Sequence, residues 1–180
     1  MLRRFLIPLA SFALASCTGQ SAPTGVVSDG ELQPASAVFT IEMLDRCEPE
    51  SFNAVLIECV GDGKVTFTEF IAELLKKQVH HQWRFQPHQL ALKAERPFQA
   101  VNVGGEDHTF TEVDEFGGGF VTDLNTLSGN PVPAPECLDF AALEFVGPGE
   151  ATEIEEEEVG TVNYQCCIHP WMRTVLEVHR

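Results

Sequence analysis

From about residue 80 onward, apolar and polar residues alternate in short runs. Gln89 to Ala94, Phe98 to Val103 and His108 to Val113 each switch character residue by residue, with Pro or Gly at the breaks. A period of two is that of a half-buried strand. Phe140 to Val146 and Glu150 to Val159 predict two further strands, and Gly160 predicts a turn. Val162, Tyr164 and Cys166 then share one strand face, and Thr174 to Val178 closes the sheet. Short strands at this spacing predict an all-β domain over residues 80–180, an antiparallel sandwich.

The period changes upstream. Phe67, Phe70, Ile71, Leu74 and Leu75 fall on one face of a helix, with Lys76 and Lys77 near its end. Cys47-Glu48-Pro49-Glu50 reads as a second helix start, with Pro and acids in the first turn. GDGKVTFTEF resembles the second half of an EF-hand loop, but Val60 falls where a third-position oxygen is needed. It is read as a turn before a helix. Residues 38–79 are therefore expected to form a helical extension. Phe116 to Cys137, with three consecutive glycines and three prolines, predicts a long loop carrying one helical turn near Thr122 to Leu127. The like-charged run Glu155 to Glu158 is expected at an edge or in solvent. His80, His81 and His88 are read as solvent-facing rather than as a second metal site.

Met1 to Ser16 reads as an export signal: Arg3 and Arg4, then an apolar run from Phe5 to Ala15 too short to span a bilayer. It ends Leu14-Ala15-Ser16-Cys17, which resembles the bacterial lipobox, and that resemblance implies a lipid on Cys17. Residues 17–37, rich in Ser, Gly, Pro and Thr, read as a flexible tether. The expected location is the periplasmic or extracellular face of a membrane. Formal charge over the 180 residues is −16. So acidic a chain repels nucleic acid and anionic headgroups, and steers toward a basic partner.

The chemistry concentrates in YQCCIHPWM, from Tyr164 to Met172. Cys166, His169 and Met172 follow one another at intervals of three, offering a thiolate, an imidazole and a thioether. With a further imidazole these are the donors that select copper for one-electron transfer. His108, in VNVGGEDHTF, is the candidate for the remaining position.

These nine residues resemble the ligand loop of the cupredoxins, in the amicyanin and plastocyanin form Tyr-x-Cys-x-x-His-Pro-x-Met. The run FQPHQLALKAERPFQAVNVGGEDHTF, from Phe85 to Phe110, resembles the opening half of that family. The resemblance covers roughly the last hundred residues. It implies a Greek-key β-sandwich and one mononuclear type 1 copper site. In it, Cys166, His108 and His169 form a plane and Met172 is a long axial ligand. It also implies that His169 presents its edge through an apolar patch that includes Pro170 and Trp171. Thr109 stands where the family often has an Asn or Ser that ties the ligand loop across. Cys167 is the weaker ligand candidate, because adjacent strand residues point to opposite faces.

With Cys17 lipidated and Cys166 on the metal, four cysteines remain and three pairings are open. Cys47 with Cys59 and Cys137 with Cys167 is the favoured one. The expected function is a one-electron carrier rather than an enzyme, working with a redox partner that is basic or membrane-bound. Copper delivery or storage without redox turnover is the alternative.

Overall fold

The computed structural model describes residues 38–180 apart from 142 and 157. The export signal, the lipid attachment at Cys17 and the tether lie outside the described residues. Alternation in FTIEML turns Ile41 and Met43 inward and builds β1 (Phe39–Leu44). Two helices follow. In α1 (Pro49–Asn53) the Glu48 carboxylate accepts from the N–H groups of Glu50 and Ser51, and Pro occupies the first turn where its missing N–H costs nothing. In α2 (Phe67–Lys77) Thr66 and Glu69 cap each other reciprocally, and Phe70 and Leu74 are buried. Glu69, the last acid of the EF-hand-like string, is thus committed to a helix cap.

The chain then alternates through β2 (Arg84–Gln86), β3 (Gln89–Lys93), β4 (Phe98–Asn102), β5 (His108–Thr109) and β6 (Thr111–Val113). The long loop contains α3 (Thr122–Leu127) and a 3-10 turn at Pro135–Leu138. After it come β7 (Phe145–Val146), β8 (Ala151–Ile154), β9 (Gly160–Gln165) and β10 (Arg173–His179). Two four-stranded sheets result, ordered β2-β1-β4-β8 and β3-β10-β9-β6, with β5 and β7 as a separate pair. Ile41, Phe85, Phe98 and Ala100 of the first sheet and Leu92, Tyr164, Leu176 and Val178 of the second form one core. The Phe110 ring stacks on Tyr164 at 4.3 Å between centroids.

The sandwich is therefore present, but its sheets are mixed rather than antiparallel: β1 pairs parallel with β4, and β3 pairs parallel with β10. Parallel neighbours need long crossovers. Residues 45–97 supply one between β1 and β4, passing through both helices and two strands.

The boundary expected at residue 80 is also corrected. β1 lies hydrogen-bonded between β2 and β4, so residues 38–79 complete the first sheet instead of extending from it. The strands expected at 140–146 and 150–159 shrink to two and four residues. Glu156, expected in solvent, is buried and accepts the hydroxyl proton of Tyr164. A chain beginning at residue 80 would leave β2 and β4 with unpaired edges. It is expected to lack the cooperative thermal transition by circular dichroism that is expected of a chain beginning at residue 38.

Candidate metal centre

Three of the four predicted ligands meet at the end of the sandwich where β4, β9 and β10 turn over. Cys166 follows β9, Met172 precedes β10, and the loop between them is closed by Cys166 N–H to the Met172 carbonyl (3.0 Å) and Met172 N–H to the His169 carbonyl (2.9 Å). His108 enters on β5. Its Nδ1 lies 3.8 Å from Cys166 Sγ, and His169 Nδ1 lies at the same distance from that sulfur. All three side chains are buried, and their donor atoms lie within 4.8 Å of one another. Metal–thiolate and metal–imidazole bonds of about 2.3 and about 2.0 Å, at 120°, would separate sulfur from nitrogen by about 3.7 Å. The residues fit a trigonal S–N–N site. Met172 is fully buried in the same core cluster.

The back edge of each imidazole faces a buried carboxylate that the sequence did not single out. His108 Nε2–H donates to Asp45 Oδ2 at 3.0 Å, which leaves Nδ1 facing the sulfur. Asp45 follows β1 and also accepts the N–H groups of Cys47 (3.2 Å), Gly105 (2.9 Å) and Glu106 (3.0 Å). His169 Nε2 lies 4.0 Å from Glu106 Oε2, and Trp83 Nε1–H donates to that same oxygen at 2.6 Å. Glu106 sits two residues before His108, so its proximity to the site was legible. Asp45 comes from a strand 63 residues away and carried no local signal.

The loop holding these groups is fitted closely. Asn102 Nδ2–H bridges the carbonyls of Glu106 (2.7 Å) and Val146 (2.8 Å), and its Oδ1 accepts from Gly104 N–H (2.9 Å). A side chain at Gly105 would meet the Gly61 backbone at 2.5 Å and the Cys47 sulfur at 2.8 Å, so only glycine lets the loop dock there.

The tie expected from Thr109 is present with its direction reversed. Thr109 Oγ1 accepts from Cys167 N–H at 2.7 Å, while the N–H groups of Thr109 and His169 each point at Cys166 Sγ at 3.4 Å. Cys166 and Cys167 face opposite ways, the first into the main core and the second into a smaller cluster under the long loop. Disulfides join Cys47 to Cys59 and Cys137 to Cys167, and Cys166 is the free thiol among the described residues.

Burial pushes the Asp45 carboxyl up, but the His108 imidazolium and the backbone N–H groups outweigh it and hold the group at about 2. Burial likewise lowers His108, yet Asp45 and Cys166 raise it to about 10. Burial raises the Cys166 thiol, and the two imidazoles hold it well below the usual thiol range. Burial raises Glu106, against the pull of His169. Without metal the site is thus a thiolate–imidazolium–carboxylate chain.

The exposed His169 edge is not observed. His169 is 3 % exposed, Pro170 is buried, and Trp171 is half-buried with its Nε1–H on the Trp83 carbonyl at 3.2 Å. Phe70 of α2 stands edge-on to the imidazole at 6.3 Å. Beside the ring opens a cleft of about 580 Å³, lined mainly by Phe67, Phe70, Ile71, Leu124 and Leu127, with Glu106 also reaching it. His80, expected in solvent, is buried against Phe70 and Trp83, and burial holds it down at about 4 against the pull of Glu73.

No family model and no curated protein matches the chain. Among solved structures, a purple cupredoxin from Nitrosopumilus maritimus is 18 % identical, spanning 56 % of this chain and 87 % of that one, with a TM-score of 0.41. An oxidized mutant of amicyanin is 11 % identical over 82 % of this chain and 88 % of its own, also at 0.41. A copper-containing nitrite reductase from Thermus scotoductus is 20 % identical, with a TM-score of 0.36. The match covers 54 % of this chain and 20 % of that enzyme. Likeness at this level adds nothing to the site, which stands on its own geometry.

The Asp45–His108 pair makes the stability of the metal-free protein depend on pH. The lowered Asp45 stabilises the fold above its unfolded value near pH ~4, and that contribution is lost as pH falls toward about 2. The raised His108 stabilises below its unfolded value near pH ~6.5, and its contribution is lost as pH rises toward about 10. Urea unfolding is expected to give greatest stability between these limits. Asp45→Asn should lower stability there by about 2 kcal/mol, a loss that shrinks at acid pH.

Proposed function

We propose that this chain is a copper-binding one-electron carrier, exported and held at a membrane by lipid on Cys17. The observation that carries the reading is the convergence of His108, Cys166 and His169 on one buried point, 3.8 Å from sulfur to each nitrogen. A thiolate with two imidazoles and a weak thioether is the blue-copper donor set. Copper bound there supplies single-electron exchange between its two oxidation states.

Cys166 would bind as thiolate, its charge spread by the N–H groups of Thr109 and His169. His108 and His169 would bind through Nδ1, and Met172 would supply the weak thioether donor. Asp45 fixes the tautomer of His108 by holding the Nε2 proton. Because every ligand is packed in the core, the donors change position little between oxidation states. The apolar cleft between α2 and α3 comes nearest to His169 and supplies the face on which a redox partner would dock. The formal charge of −16 favours a basic partner. The Leu-Ala-Ser-Cys ending of the leader supports lipidation, which mass spectrometry of the mature N-terminus would test.

The covering of His169 favours one second reading. A closed site suits copper held for delivery or storage without redox turnover. Voltammetry separates the two, since a carrier gives a reversible one-electron wave and a store gives none.

The copper-loaded mature protein is expected to show an intense visible thiolate-to-copper band, lost in Cys166→Ala and kept in Cys167→Ala. A colourless Cu(II) adduct of the native chain would overturn the assignment. Uptake must displace the Nδ1 proton of His108. Affinity measured by chelator competition should therefore rise about tenfold per pH unit over the range below about 10, where that imidazole is protonated.

A further inference from the structure

A second set of metal donors stands beside Phe70, the same side chain that packs on His169. Glu73 lies on α2, which Gln78 ends in the left-handed conformation (φ 62°), so that the chain doubles back over the helix's last turns. The return places His80 Nε2 3.6 Å from Glu73 Oε2 and His81 Nδ1 2.6 Å from Glu73 Oε1. The backbone N–H of His81 also donates to Oε1 at 3.2 Å, which pins the turn to the helix. One donor atom from each residue lies within 4.8 Å of the others.

We propose that Glu73, His80 and His81 form a binding site for a borderline divalent cation of the zinc class. Imidazole and carboxylate are the donors such ions take. The spacing between His80 and Glu73 decides the case. At 3.6 Å it is too long for a hydrogen bond. Two bonds of about 2.1 Å meeting at a tetrahedral angle separate their donors by about 3.4 Å. The His80 ring is held between Phe70 (5.5 Å) and Trp83 (4.5 Å), so its Nε2 is already placed. His81 is exposed, so its ring can swing out of the 2.6 Å contact with Glu73 Oε1 and exchange the Nδ1 proton for the ion. The fourth position is left to water.

Two neighbours oppose the ion and set a modest affinity. Lys77 Nζ lies 3.2 Å from Glu73 Oε1, although its side chain is half in solvent and able to leave. Gln82 N–H lies 3.3 Å from His80 Nδ1, and coordination at Nε2 puts a proton on that nitrogen and opens this weak contact. A bound cation would cross-link α2 to the turn bearing Trp83, the residue whose indole N–H holds Glu106 beside His169.

The test uses the full mature chain with Cys166→Ala and His169→Ala, which removes two donors of the copper site and makes failure of that site a separate result. Zinc titration by calorimetry is expected to show one saturable site. Adding Glu73→Gln or His81→Ala should weaken it at least ~10-fold. Lys77→Gln should tighten it by about threefold, the opposite of what loss of a merely structural ion pair predicts. In the native chain, the imidazole NMR signals of His80 and His81 should move with zinc in the same titration. Absence of saturable binding, unchanged affinity in Glu73→Gln and His81→Ala, or weaker binding in Lys77→Gln overturns the proposal.

Discussion

The Asp45 carboxylate is the point on which the rest of the site depends. A buried anion is tolerated only when it is paired and hydrogen-bonded. Here it takes three backbone N–H groups and the His108 imidazole. That one group joins the end of β1 to the loop after β4, and the loop to the first candidate ligand. The glycines of that loop follow from it, since Gly104 and Gly105 let the backbone close on Asp45 and on the Cys47–Cys59 disulfide. The end of β1 is therefore part of the site's construction.

A second consequence concerns solvent. Phe70 of α2 and Trp171 pack against His169, and Glu106 stands near its Nε2 with the Trp83 indole on the same oxygen. A covered site has a low effective dielectric, which strengthens each charge–charge contact within it. The covering also moves the apolar approach from the ligand loop's own Pro170 and Trp171 to the cleft between α2 and α3. The helices that look like an appendage along the chain are the lid of the centre.

The candidate ligand loop was readable because its residues are close together in the chain. Cys166, His169 and Met172 lie within one turn, and their types state the chemistry without knowledge of the fold. His108 was reachable because alternation on either side places it on a strand near the loop. Asp45 was not reachable, since an acid after a strand has no local pattern that marks it as a partner 63 residues away. His80 and Glu156 were misread for a related reason. Polar neighbours in sequence suggest solvent, whereas burial is decided by which distant aromatic or hydroxyl packs over the side chain.

The sequence by itself determined β3, β4, β9 and β10, the positions of the helices, the donor types and the opposite faces of Cys166 and Cys167. All of these follow from periods of two and 3.6 residues and from local hydrogen bonds. Tertiary structure alone decided that β1 pairs in parallel with β4 and β3 with β10, that Asp45 and Glu106 stand behind the imidazoles, and that α2 closes over His169. Those outcomes are set by long-range packing, where a contact's energy depends on residues the local pattern does not contain.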